Sequence, residues 1–222
     1  MLELNKVYKI DALEGMRMFK DFEIDLIVTD PPYGIGESNE KNLARGKWAK
    51  PTDYGHYDWD KQKISKPYFD EMFRISKNQI IFGGNYYVDY LYNSSCWIVW
   101  DKKNGKNDFA DCEMAWTSFN TAVRKFDWRW SGMLQELPSW KEKRYHPTQK
   151  PVPLMMKIID TYSKEDDVIL DPFCGSGSTL VACEKLGRKF IGFDNCDDYV
   201  RISEKRINSV PTKLEDYTKL KQ

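Results

Sequence analysis

Asp30-Pro31-Pro32-Tyr33 closes an apolar run, Ile24 to Thr29, that has the pattern of a buried strand. In an open parallel sheet the carboxyl ends of strands line the ligand crevice, so this tetrapeptide is expected at a site. Two consecutive prolines stiffen the loop and remove N–H donors, leaving carbonyl oxygens to accept. The loop would present a carboxylate at Asp30, a rigid carbonyl at Pro32 and an aromatic face at Tyr33. That set suits an exocyclic amine on a flat ring. The carboxylate and the carbonyl take its two hydrogens, electron density rises on the nitrogen, and the ring stacks on tyrosine for ~1–3 kcal/mol. A strand followed by a proline-rich turn with an Asp cap is the purely structural alternative.

A second chemical signal follows another strand pattern, Val168-Ile169-Leu170. It reads Asp171-Pro172-Phe173-Cys174-Gly175-Ser176-Gly177-Ser178-Thr179 and runs straight into a helical pattern. Glycines at 175 and 177 allow a tight turn, with helix N–H groups pointing at a bound ligand. Further on, a strand over Phe190–Phe193 ends in Asp194, where a carboxylate can accept from ribose hydroxyls. The order strand, glycine turn, helix, strand, acid points to an adenosine-containing cofactor. No Lys-Ser/Thr pair follows the glycines, which argues against a phosphate loop. The turn could also serve only to pack a βαβ unit.

Positioning these loops takes alternating strands and helices. Strands are expected at Val7–Ile10, Ile24–Thr29, Gln79–Phe82, Trp97–Trp100, Met114–Thr117, Val168–Leu170 and Phe190–Phe193. Helices are expected near Ala12–Phe19, Pro67–Ser76, Tyr86–Tyr92, Pro153–Tyr162, Ser178–Leu186 and Asp198–Asn208. The alternation predicts an α/β fold, a single domain over residues 1–222 with a seven-stranded, mostly parallel sheet and helices on both faces. Residues 34–66 and 120–144 break the pattern and read as long loops of the kind that carry function.

Together these motifs resemble those of the β-class amino-methyltransferases of DNA, which use S-adenosylmethionine. Asp30–Tyr33 stands as the family's catalytic motif and Asp171–Thr179 as its cofactor motif. Between them lies His146-Pro147-Thr148-Gln149-Lys150-Pro151, a segment characteristic of this class. Catalytic motif before cofactor motif is the permuted order of the β class, so the resemblance implies a Rossmann-like methyltransferase fold in permuted order. It implies that Asp30, Pro31, Pro32 and Tyr33 hold the target base, and that Phe173, Gly175 and Gly177 wrap the methionine part of S-adenosylmethionine. Asp171 would hold the cofactor's amino end and Asp194, where many relatives carry Glu, its ribose. Asp11 would meet the adenine amino group, and Thr148 and Lys150 the cofactor's carboxylate. His146 is expected as a structural or cofactor-shell residue, Cys174 as a small buried filler. No metal and no covalent intermediate are implied, because the sulfonium already supplies the leaving group.

A base inside a duplex hides its amine, so the implied partner is DNA with the base flipped out or single-stranded. Lys+Arg 34 against Asp+Glu 34 excludes a binder driven by net charge alone. Cations would instead have to cluster, and they do at Lys47 and at Arg124, Lys125, Arg129, Lys143 and Arg144; each cluster reads equally well as a solvated loop. No separate target-recognition domain is expected, so specificity would fall to the two loops or to a second subunit in a homodimer. Adenine-N6 is the leading target. Cytosine-N4 is the close rival, since both amines present the same two hydrogens, but cytosine-directed relatives more often carry Ser in place of Asp30. A non-catalytic DNA- or cofactor-binding subunit would have lost Asp30, Tyr33 or the glycines, and none is lost.

No apolar run reaches the ~18 residues of a membrane span, and the start carries no signal pattern. The 5 cysteines contain no C-x-x-C pair, and with 2 histidines they support neither a disulfide framework nor a zinc site. A reduced, cytoplasmic protein is expected.

Overall fold

The computed structural model describes residues 2–35, 63–105, 110–131, 134–136, 141–146 and 148–210. Its strands are β1 (Lys6–Lys9), β2 (Ile24–Thr29), β3 (Ser76–Phe82), β4 (Trp97–Asp101), β5 (Cys112–Thr117), β6 (Arg124–Asp127), β7 (Trp130–Ser131), β8 (Leu134–Gln135), β9 (Val168–Asp171) and β10 (Lys189–Asp194). Its helices are α1 (Ala12–Met16), α2 (Lys66–Ile75), α3 (Val152–Tyr162), α4 (Ser178–Leu186) and α5 (Asp197–Asn208). None of the described helices is long and apolar enough to cross a membrane.

Eight strands form one sheet in the order β1-β10-β9-β2-β3-β5-β4-β6, and β7 and β8 make a separate hairpin. Within the large sheet β5 alone runs antiparallel to its neighbours. From β2 the chain winds outward through β3, whereas from β9 it steps the other way to β10, which lies beside β1. The strand order therefore reverses between β9 and β2, where Leu26 pairs with Ile169 and Ile27 with Leu170. That reversal opens a crevice at the carboxyl ends of the strands.

Each face of the sheet has its own core. On one side Leu26, Val28, Ile80 and Ile98 meet Leu154, Ile158 and Ile159 of α3 and Leu180 of α4. On the other, Ile27, Ile81, Leu170 and Phe193 meet Phe69, Met72 and Ile75 of α2. Helix starts follow local chemistry. Asp11 caps α1 by accepting from the N–H groups of Leu13 and Glu14, at 2.9 and 3.2 Å. Pro67 and Pro153 sit in first turns, where a missing N–H costs nothing.

All seven expected strands are present: Ile24–Thr29 has the expected bounds, the first strand is shifted by one residue to Lys6–Lys9, and the other five are extended by one to three residues. The eighth, β6, falls in the stretch read as a loop. Its Arg-Lys-Phe-Asp sequence offers no apolar alternation; it pairs along the outer edge of β4, where charged residues protect an open edge. The expected helix over Tyr86–Tyr92 is instead a 3₁₀ turn at Gly84–Tyr86 followed by turns. Tyr86, Tyr87, Val88, Tyr90 and Tyr92 would all lose rotamer freedom in a helix. Most of the other long loop, residues 36–62, lies outside the described residues.

Candidate active site

A cleft of about 450 Å³ opens at the carboxyl ends of β1, β10, β9 and β2. Asp11, Asp30, Lys150, Asp171, Phe173 and Asp194 all line it, so residues separated by most of the chain meet in one place.

The glycine turn lines the cleft through Phe173, Cys174, Ser176, Ser178 and Thr179, while Gly175 and Gly177 shape the backbone behind them. Gly175 and Gly177 adopt left-handed backbone, φ +50° and +79°. A Cβ on Gly177 would also lie 2.8 Å from Ser203 Oγ, so α5 packs against the turn where only glycine fits. Ser203 donates to the Gly175 carbonyl at 2.7 Å, and Arg206 donates to the Ser176 carbonyl at 2.5 Å. Asp194 accepts from the N–H groups of Gly175 and Cys196, at 2.9 and 2.8 Å, which ties the end of β10 to the turn. Asp171 accepts from the Thr29 hydroxyl and from Phe173 N–H.

Burial pushes both carboxyls up to about 6, against the pull of these donors. Neither forms an ion pair among the described residues. A ligand bearing positive charge and hydroxyl groups would relieve that desolvation. The donor set therefore fits the adenosyl sulfonium implied by the motifs. Asp11 is shared: one oxygen caps α1, and the other accepts from the Tyr68 hydroxyl at 3.2 Å.

His146 stands beside the turn. The Thr148 N–H donates to its Nδ1 at 3.2 Å, placing the proton of the neutral ring on Nε2, and the Thr148 hydroxyl lies 3.0 Å from the same nitrogen. Burial, reinforced by Lys150, holds this imidazole down to about 3. It is neutral at any working pH. Cys174 is buried, and burial pushes its thiol well up.

At the end of β2, Tyr33 donates to Asp30 Oδ1, and the Tyr87 hydroxyl donates to the Pro32 carbonyl. The Tyr33 ring stacks on Tyr86, with centroids 4.8 Å apart and planes 18° apart. Both acceptors expected to take amine hydrogens are thus occupied by the chain's own hydroxyls. Lys150, expected against the cofactor's carboxylate, lines the cleft and is held there by the chain's own acids. Its Nζ ion-pairs with Asp30 Oδ2 at 2.5 Å and with Glu113 Oε2 at 3.1 Å. A buried ammonium is drawn to buried carboxylates, and two are within reach. Burial raises the Asp30 carboxyl; Lys150 lowers it and Glu113 raises it, leaving it above the ordinary value.

The six cations expected on nucleic acid do not form one cluster. Lys47 lies outside the described residues. Arg124 begins β6, and because β6 runs parallel to β4 it stands at the amino ends of the strands, with Asp25, Lys77 and Lys164 around a separate groove. That is the end of the sheet opposite the cleft, a correction to the single basic loop expected over 120–144. Lys125 is tied to Asp101 and Asp127, at 3.2 and 3.0 Å. Arg129 is exposed, with its backbone N–H donating to Glu136. Lys143 lies over the Tyr145 ring and Arg144 over the Trp130 ring, at 4.9 and 4.7 Å.

Several participants escaped sequence reasoning. Glu113 gave one signal, an acid between Cys112 and the apolar run Met114-Ala115-Trp116 of its strand. Tyr86 and Tyr87 follow paired glycines, Gly83-Gly84, a hint of close packing; a Cβ on Gly83 would overlap the Tyr33 ring. Ser203 and Arg206 gave no signal, since their role depends on α5 crossing the turn.

Known proteins resemble this chain over most of its length. The family described as DNA methylase, covering N6 and N4 methyltransferases, matches residues 59–205. The Type II methyltransferase M2.LlaDCHI of Lactococcus lactis subsp. cremoris is 30% identical over 91% of this chain and 88% of its own length. Type II methyltransferase M.HinfI of Haemophilus influenzae is 29% identical over 96% of this chain and 71% of its own length. Among solved structures, the M1.HpyAVI–SAM complex superposes with a TM-score of 0.58 at 24% identity, over 91% of this chain and 98% of that one. PvuII DNA methyltransferase, cytosine-N4-specific, superposes with a TM-score of 0.59 at 17% identity, over 96% of this chain and 90% of that one. These two likenesses establish a shared fold.

Proposed function

This chain belongs to the N6/N4 DNA methylase family, and on that premise we propose that it transfers a methyl group from S-adenosylmethionine to the exocyclic N6 amine of adenine in DNA. One observation carries the reading: Asp30 and the glycine turn, at the ends of neighbouring strands β2 and β9, line one cleft. When bound, S-adenosylmethionine supplies an electrophilic methyl group on a sulfonium with a neutral thioether as leaving group.

The chain's own residues supply alignment and charge placement. Asp194 and Asp11 are suited to the ribose and the adenine amine of the cofactor, and Phe173 and the glycine turn to its methionine part. Asp30 and the Pro32 carbonyl would each accept one hydrogen of the target amine, displacing the hydroxyls of Tyr33 and Tyr87, while Tyr33 offers its ring to the base. With nitrogen alkylated, the extra proton leaves to Asp30 or to water. His146, neutral and buried, is not required as a base. The base reaches this cleft flipped out of a duplex or from a single strand.

The resemblance favours adenine over cytosine, since cytosine-directed relatives more often carry Ser in place of Asp30. The Type II names of the relatives support a role in restriction–modification. The test is transfer of labelled methyl to unmethylated DNA, RNA and protein side by side, followed by nucleoside analysis. Label in N6-methyladenine, abolished by Asp30→Ala, is expected. Label in N4-methylcytosine would overturn the choice of base, and label in RNA or protein alone would overturn the substrate.

A further inference from the structure

Lys150 sits between two carboxylates, 2.5 Å from Asp30 and 3.1 Å from Glu113, with its side chain only 7% exposed. Glu113 has its other oxygen 2.5 Å from Lys102 Nζ. Four charges of alternating sign therefore run from the cleft through β5 to the end of β4. The Phe82 ring lies 5.2 Å from Lys150 Nζ and restricts where the ammonium can go.

We propose that Glu113 is a positioning residue for methyl transfer: by sharing Lys150 it weakens that ammonium's hold on Asp30, so the Asp30 carboxylate remains able to release it and take a hydrogen of the target amine. The proposal rests on the methyl-transfer reading of the Asp30 loop. An ammonium with a single buried carboxylate partner is held tightly, because attraction in a poorly solvated site is strong. A second carboxylate on the same ammonium divides that attraction and lets Asp30 exchange partners without a large loss. Lys102 tunes the division from the far side, since whatever it takes from Glu113 is no longer offered to Lys150.

The other groups near this chain are few. Tyr33 faces Asp30 from its own loop, Asp171 from the end of β9, and His146 stands close to Lys150. His146 is neutral; of these groups Asp171, raised to about 6, titrates near the working range, so its midpoint is assigned with Asp171→Asn alongside that of Asp30.

The experiment measures the Asp30 carboxyl midpoint by carbon-13 NMR in the ligand-free full chain, assigned with Asp30→Asn, alongside the pH–rate profile of methyl transfer. Glu113→Gln should move the midpoint and the acid limb of kcat to lower pH and reduce plateau kcat roughly tenfold. Affinity for S-adenosylmethionine should stay within about twofold. Lys102→Met should move the midpoint the opposite way, and Glu113→Asp should restore part of the Glu113→Gln loss. Should Glu113→Gln fail to fold, the sign of the Lys102→Met shift decides. Unmoved midpoints in an active enzyme overturn the proposal alone. An unaltered chain that transfers no methyl group overturns the functional reading and the catalytic half of the proposal with it.

Discussion

Thr29 and Asp171, 142 residues apart in sequence, are joined by a 2.8 Å hydrogen bond between the ends of neighbouring strands. The last residue of β2 thereby holds the last residue of β9, tying the Asp30 loop to the glycine turn. That bond adds a side-chain tie between the two loops to the backbone pairing of β2 and β9.

Thr29→Val should leave the Asp171 carboxyl with Phe173 N–H and the Thr179 side chain, one donor fewer. An under-satisfied buried acceptor of this kind costs about 1–3 kcal/mol, readable in urea melts. Cofactor affinity should fall with it, measured by calorimetry. A variant as stable and as tight-binding as the parent would show that the strands hold the loops without this contact.

Acidity should act on folding and on cofactor binding with opposite signs. Asp171 and Asp194 have an ordinary value of 3.8 and are raised to about 6 in the folded chain. Between those values the folded state binds more protons than the unfolded one. The contribution of these groups to stability is therefore present below 3.8 and is lost as pH rises towards 6. Affinity for S-adenosylmethionine should rise over the same interval, because the ionised Asp194 is the better acceptor for ribose hydroxyls. Titration calorimetry across that range should show the rise, and Asp194→Asn should flatten it. Equal affinity at both ends would remove Asp194 from the site.

Removing the hydroxyl that competes for the Pro32 carbonyl should help the substrate amine. One neutral hydrogen bond is worth about 0.5–1.5 kcal/mol net, so Tyr87→Phe should increase turnover at low DNA concentration about threefold while lowering stability slightly. A drop in turnover with unchanged folding would mean that the hydroxyl orients the carbonyl.

Cations at opposite ends of the sheet should differ in their effect on nucleic acid. The Lys143 carbonyl accepts from Gln149 at 3.0 Å, in the segment that walls the cleft. Arg124 stands at the amino ends of the strands. Lys143→Ala should reduce the salt dependence of DNA binding by a slope of about 1, whereas Arg124→Ala should leave both slope and affinity unchanged. Filter binding at several salt concentrations separates them, and equal losses would put DNA across both ends.

Asp30, Phe173 and Asp194 were legible in the sequence because each follows a strand, and loops after parallel strands converge by a rule of chain geometry. Lys150 was legible as a site residue but not by its partner. Its bond to Asp30 depends on how the segment before α3 folds over the sheet, and Glu113 arrives from an antiparallel strand that no motif marks. Strand β6 was hidden for a different reason: hydrogen bonding along an edge needs no apolar pattern. The turn after Gly83 was misread as a helix because aromatic spacing resembles a buried face, while the backbone there is set by the packing of Tyr33 and Tyr87.

The order of strands has a consequence for how the protein is made. On the ribosome β1 and β2 emerge early, yet β9 and β10, which lie between them, come more than a hundred residues later. Until then β1 has no neighbour, and the inner side of β2 is an open apolar edge. Such distant pairings close slowly and leave the nascent chain prone to sticking to others. A chain stopped just short of residue 168 should therefore aggregate rather than rest as a half-built domain, and the last two strands complete the fold by insertion at its centre.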